Sequence, residues 1–83
     1  MTILYFAWVR QKLGKSEELM ELPAHVGTIR ELIELLRGRG ENYREVFADP
    51  ARLRAARNQE HVSFDATISD SDEIAFFPPV TGG

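Results

Sequence analysis

One well-marked helix near the middle of the chain constrains the fold most. Residues 28–31 form a capping box, in which the Thr28 hydroxyl accepts from the Glu31 backbone N–H and the Glu31 carboxylate reaches back to the Thr28 N–H. Gly38 and Gly40 are predicted to end the helix with left-handed or flexible backbone. Apolar residues recur between these signals at i, i+3, i+4 and i+7, the spacing of one helix face: Ile29, Leu32, Ile33 and Leu36.

Apolar segments near both ends of the chain predict strands. Residues 3–9 are rich in aromatic and β-branched side chains, which favours a strand buried on both faces. Residues 16–22 predict the second strand of a hairpin, although their sequence is also compatible with the start of a helix. Residues 73–77 predict the final strand.

The segments between the helix and the final strand give weaker patterns. A short helical turn is expected within residues 41–52, and residues 53–57 remain ambiguous. Asn58-Gln59 and residues 70–72 are typical of turns, and residues 61–64 of a short strand.

The order of these elements predicts an α+β fold. If the last strand runs parallel to the first beside it, the helix supplies the right-handed crossover that this connection requires. We therefore expect a β-grasp (ubiquitin-like) roll, a mixed sheet with one main helix packed across it, over residues 1–77. Residues 78–83 are expected to form a flexible C-terminal tail ending in Gly-Gly.

Composition excludes several classes of function. A net charge of −3 argues against a nucleic-acid partner, and the longest apolar run is too short to span a membrane. With no cysteine, the chain has no thiol nucleophile, and His25 and His61 each lack neighbouring ligands for a metal site. We expect one cytoplasmic domain with no bound metal or cofactor.

The charges are unevenly distributed along the chain. Residues 30–57 contain seven arginines and five acidic residues, whereas residues 58–83 contain five acidic residues and no lysine or arginine. An acidic face leading to the C-terminus could dock on a basic partner. The alternative is the ordinary solvated surface of an acidic protein.

The C-terminal segment is unusual because it is apolar and then ends in two glycines. Pro78-Pro79 forces an extended exit, so residues 78–83 can project about 20 Å. Gly82 and Gly83 lack side chains and can enter a channel about as narrow as a bare backbone. We expect the Gly83 α-carboxylate to be presented to another protein's active site, the alternative being an ordinary frayed tail.

A carboxylate is a poor electrophile, and its useful chemistry begins with activation by ATP to an acyl-adenylate that a nucleophile then captures. The sequence contains no phosphate-binding loop and no nucleophilic thiol for that chemistry. The chain is therefore predicted to be the substrate and carrier, with no catalytic residues of its own.

The ending Phe-Phe-Pro-Pro-Val-Thr-Gly-Gly, residues 76–83, resembles the small, sulfur carrier subunit of molybdopterin synthase (the MoaD family). Other Gly-Gly carriers, such as the thiamine-pathway sulfur carrier and ubiquitin, share the last two residues but not the Phe-Phe-Pro-Pro-Val run. The resemblance covers nearly the whole chain and is weakest from about Gly38 to Arg52. It includes these further segments: residues 5–7, 9–10, 58–59, 62–65 and 72–75.

The resemblance implies a β-grasp fold and a two-stage activity. An ATP-dependent, MoeB-like activating enzyme would adenylate Gly83, and sulfur would replace the adenylate to give a thiocarboxylate. The tail would then enter the large catalytic subunit, in a heterotetramer, and donate sulfur to cyclic pyranopterin monophosphate during molybdenum cofactor biosynthesis. ATP would be used by the activating enzyme and not held by this chain.

The resemblance also implies roles for individual residues. Gly83 would bear the sulfur, and Gly82 would allow passage of the tail. The insertion channel would be lined by four residues: Pro78, Pro79, Val80 and Thr81. Three residues would face the partner near the base of the tail: Phe6, Arg10 and Phe77. Each aromatic residue could instead belong to the core.

Three other functions remain open from the sequence. The chain could be a ubiquitin-like modifier conjugated through Gly83, although Lys12 and Lys15 are its only lysines for chain building. It could also be the sulfur carrier of another pathway, or an adaptor whose tail is a structural clasp.

Overall fold

A computed structural model describes residues 1–79. Three helices and five strands are described in that range, with a single 3₁₀ turn at Pro50–Arg52. In chain order they are β1 (Thr2–Tyr5), α1 (Ala7–Leu13), β2 (Glu17–Leu19), α2 (Ile29–Arg37), α3 (Glu41–Val46), β3 (Arg54–Arg57), β4 (Glu60–Val62) and β5 (Glu73–Phe77). None of the helices in residues 1–79 is long and apolar enough to span a bilayer.

The strands form one mixed sheet with the order β2-β1-β5-β3-β4. β1 and β5 are parallel and in register, with Ile3 beside Ile74 and Tyr5 beside Phe76. The other neighbouring pairs are antiparallel. This arrangement confirms the predicted β-grasp fold, in which the chain returns to the first strand by way of the helix.

Helix α2 begins as predicted and buries the predicted face. The Thr28 hydroxyl accepts from the Glu31 N–H at 3.2 Å, and the Glu31 carboxylate accepts from the Gly27 N–H at 2.9 Å. Gly38 caps the C-terminus in a right-handed conformation with φ of −83°. Of the two glycines predicted to end the helix with left-handed or flexible backbone, only Gly40 has a positive φ, of 158°.

The prediction of one strand over residues 3–9 is wrong, because the apolar run contains two elements. The strand ends at Tyr5, and the Phe6 N–H donates to the Phe76 carbonyl of β5 at 3.1 Å. Ala7 then takes φ of 54°, and helix α1 begins. Val9 is fully buried on that helix, so an apolar run that suits a buried strand also supplies the inner face of a short helix.

The core lies between the sheet and the helices. The ring of Phe76 from β5 meets the ring of Phe47, which follows α3, edge to face with centroids 5.1 Å apart. The largest fully buried side chains are Tyr5, Phe47, Phe76, Ile3, Ile29, Leu32, Leu36, Leu53, Ile74, Val9 and Val46.

A polar cluster ties the edge strand β2 to the rest of the molecule. The Glu18 carboxylate accepts from the Tyr5 hydroxyl at 2.5 Å, the Tyr43 hydroxyl at 3.0 Å and the Arg39 guanidinium at 3.0 Å. Burial raises the pKa of the Tyr5 hydroxyl, and its bond to Glu18 raises it further. Burial alone would raise the pKa of Glu18, but the bonds from Tyr5 and Tyr43 hold it below its ordinary value.

Candidate functional site

The side of the sheet opposite the core carries a row of small and apolar side chains. Alternation along each strand turns Leu4 and Ala75 away from the core, since their neighbours Ile3 and Ile74 are fully buried. Strand register then places Leu4 beside Ala75, Ala75 beside Ala56, and Ala56 beside His61. The row therefore crosses four adjacent strands.

This row forms the floor of a concave surface, which we call the sheet hollow. Its volume is about 360 Å³, and it is lined by Leu4, Phe6, Ala56, Gln59, His61, Glu73, Ala75 and Phe77. The short side chains of Ala56 and Ala75 form its floor, and larger side chains form its walls. Phe77 packs against His61 with ring centroids 5.0 Å apart and a tilt of 53°. Such a concave apolar surface suits an inserted side chain of a partner.

Phe6 and Phe77 both lie outside the core. Phe6 is the residue before α1 and is 46% exposed, a high value for a large apolar side chain. Phe77 is half-buried on the outer side of β5, whereas the adjacent Phe76 is fully buried on the inner side. The core alternative is therefore excluded for both rings, and their role in partner binding stays a prediction.

Arg10 is exposed on α1 and is not among the residues that line the hollow. Arg54 is beside Phe77 in the sheet register, and the Arg52 guanidinium lies 4.6 Å from the centre of the Trp8 ring of α1. Within residues 1–79, none of these three arginines forms an ion pair.

Three acidic residues of the C-terminal third lie at the opposite end of β5 from the base of the tail. Asp70 and Asp72 precede β5, and Glu73 begins it, whereas the tail follows Phe77. Four residue steps of strand separate Glu73 from Phe77, which is about 13 Å. These three carboxylates therefore lie at the other end of β5 from the tail, which favours an ordinary solvated surface over an acidic face that leads to the C-terminus.

The tail leaves the sheet beside the hollow. β5 ends at Phe77, and Pro78 has no N–H with which to extend the ladder. Pro78 and Pro79 are half-buried, and Val80, Thr81, Gly82 and Gly83 lie outside the described residues. The boundary between a domain over residues 1–77 and a tail over 78–83 stays a prediction, as do the threading roles and the role of Gly83.

Within residues 1–79, no three histidine, aspartate or glutamate side chains converge to form a metal site. His25 lines a separate shallow surface with Val26 and residues of α2, whereas His61 lies in the sheet hollow. Sequence reasoning interpreted His61 as an ordinary surface residue. Alternation along β5, which places Ala75 and Phe77 on one face, is a signal that the sequence does contain. The register of β4, β3 and β5, which brings His61 to that face, is not provided by any local pattern.

The ThiS family model matches residues 3–83 of the chain. The molybdopterin synthase sulfur carrier subunit of Escherichia coli is 40% identical over 81 residues, covering 98% of this chain and 96% of that protein. The subunit of the same name from Haemophilus influenzae is 31% identical over 83 residues, covering 100% and 99%. The crystal structure of SAMP1 from Haloferax volcanii superposes with a TM-score of 0.76 at 25% identity, covering 100% of this chain and 98% of that one.

Proposed function

The chain belongs to the ThiS family, and from that membership we propose that it is the sulfur carrier subunit of molybdopterin synthase. The observation that carries the proposal is the full-length likeness, at 40% identity, to the Escherichia coli subunit of that name. The sequence Phe-Phe-Pro-Pro-Val-Thr-Gly-Gly at residues 76–83 supports it, because its last two residues suit delivery of a terminal carboxyl group. The proposal includes a cytoplasmic location, where ATP is at hand for activation.

Gly83 is the reacting residue in this proposal. In an activating enzyme, an oxygen of its α-carboxylate attacks the α-phosphorus of ATP, and pyrophosphate leaves. A sulfur nucleophile supplied by a donor then displaces AMP from the acyl carbon, which leaves a thiocarboxylate at Gly83. In the large subunit, that sulfur is transferred to cyclic pyranopterin monophosphate, and the carboxylate is regenerated by water.

The chain contributes binding and positioning, and its partners contribute the catalytic groups. Pro78 and Pro79 hold the tail extended, and Val80, Thr81 and Gly82 lie along the partner's channel. The sheet hollow receives the large subunit, with Phe6 and Phe77 as apolar contacts. Arg10 lies on the exposed surface of α1 and contacts the rim of the partner. Two carriers on two large subunits complete a heterotetramer.

The hollow supports docking at this face because it is continuous with the tail. Phe77 lines the hollow, and the next residue begins the segment that must enter the channel. A partner that covers the hollow is therefore placed within one residue of the tail. Binding at the hollow lowers the entropic cost of inserting the tail into the partner's channel.

Reconstitution tests the proposal. The chain, an activating enzyme, ATP and a sulfur donor are incubated, and the purified product is mixed with the large subunit and cyclic pyranopterin monophosphate. Formation of molybdopterin that requires both proteins is the expected result. Sulfur loading without molybdopterin formation would indicate a carrier of another pathway, and an adduct between Gly83 and a lysine of another protein would indicate a modifier. Either outcome would overturn the proposal.

A further inference from the structure

The sheet hollow contains one side chain whose charge changes near neutral pH. His61 lies on β4 beside Ala56, and its ring packs against Phe77 inside the concave surface. Histidine is the side chain whose ordinary titration range falls between pH 5 and 8. The surface on which the partner docks therefore gains one positive charge when His61 is protonated.

The groups that face His61 determine what that cation meets in the free protein. β5 contributes the Phe77 ring and, at the far end of the hollow, the Glu73 carboxylate. β3 contributes Ala56 directly and Arg54 diagonally on the same face. The turn between β3 and β4 contributes the neutral Gln59. The side chains contributed by β1 and by the residue that follows it are apolar.

The His61 side chain is exposed, so water hydrates the ring in the free chain whether or not it carries a proton.

Docking removes that water. A partner that fills the hollow covers both Phe77 and His61, because both side chains line it and their rings are in contact. Burial against apolar groups penalises the charged form of histidine far more than the neutral form. On the basis of the proposed function, we propose that His61 makes docking of the large subunit pH-dependent, since the complex forms with the neutral imidazole and releases its proton to water.

The direction of the effect follows from linkage. If the complex holds His61 neutral, affinity is complete above the titration range and falls as the pH falls through it, by up to about tenfold per pH unit. We expect the dissociation constant for the large subunit to be about tenfold higher at pH 5.5 than at pH 7.5.

Binding titrations of the purified chain with the large subunit between pH 5.5 and 8.0 test this inference. The partner has titrating groups of its own, so the informative quantity is the difference between variants. His61→Gln and His61→Leu keep a side chain in the hollow but cannot take a proton, and both should lose the tenfold weakening. His25→Gln removes the other histidine, which lies outside the hollow, and should keep it. Thermal unfolding verifies that each variant is folded.

Proton NMR of the His61 ring gives a second readout, since its pKa should be lower in the complex than in the free chain. Parallel pH profiles for the parent and both His61 variants, or stronger binding at low pH through a partner carboxylate, would overturn this inference and leave the proposed function standing. Absence of binding by the parent at every pH would overturn the proposed function and this inference together.

Discussion

Replacing Phe77 by alanine should weaken docking strongly and stability little. Phe77 is half-buried and lines the sheet hollow, so in the proposed complex the large subunit would cover its remaining surface. Full burial of a phenylalanine side chain stabilises by about 1.5–3 kcal/mol, and central aromatic contacts of an interface typically cost about 1–3 kcal/mol when truncated. We expect the dissociation constant for the large subunit to rise about 5- to 150-fold. Isothermal titration calorimetry with the purified partner measures it.

The adjacent residue provides a matched control on the same strand. Phe76 is fully buried and meets Phe47 edge to face, so Phe76→Ala should cost about 3–5 kcal/mol of folding free energy. For a domain of this size that lowers the melting temperature by at least about 12 °C, whereas Phe77→Ala should lower it by less than about 8 °C. Unchanged affinity with a large loss of thermal stability in Phe77→Ala would refute the assignment of its ring to the docking surface.

Further predictions concern the tail and the polar cluster. A chain lacking Gly83 should keep its melting temperature and lose thiocarboxylate formation; unfolding of that variant in calorimetry would contradict the carrier role. Gly83→Ala should slow ATP-dependent activation by about 100-fold, because bulk beside the reacting carbon misplaces it, and Thr81→Ser should be much milder. Equal adenylation rates for Gly83→Ala and the parent would exclude the steric argument. The lowered pKa of Glu18 predicts a contribution to stability that is complete above the ordinary glutamate range and is lost as the pH falls through the folded-state value. The difference in urea-unfolding stability between Glu18→Gln and the parent should therefore be smaller at pH 3 than at pH 7, and a constant difference would disprove the linkage.

Local sequence signals were sufficient to predict those elements whose structure depends on residues close together in the sequence. The capping box and apolar face of α2 lie within one short segment, and the final strand is bounded by a turn and two prolines. The position of Ala56 depends instead on its neighbours in space. Arg-Ala-Ala-Arg has little strand propensity, yet it forms β3 because β4 and β5 pair with it on both sides.

The end of β1 and the residues that line the hollow could not be predicted from the sequence, because both also depend on contacts between residues distant in sequence. The chain leaves the strand where the Phe6 N–H meets the Phe76 carbonyl, a contact between residues 70 positions apart. No hydrophobic pattern within residues 3–9 indicates where this hydrogen bond forms, and so where the strand ends. The tail is predicted from a local signal, the proline and glycine pairs of residues 78–83, and its role stays a prediction. The hollow requires a register across four strands that brings His61 toward Phe77, and no local signal provides it.

The mass of the intact chain after activation tests the central claim most directly. The parent is incubated with ATP, a sulfur donor and the activating enzyme, and its C-terminal peptide is then fragmented. We predict the mass increase that corresponds to replacement of one oxygen by sulfur, located at Gly83 and absent when ATP is omitted. An unchanged mass under conditions that load the Escherichia coli relative, or sulfur at any other residue, would contradict the account.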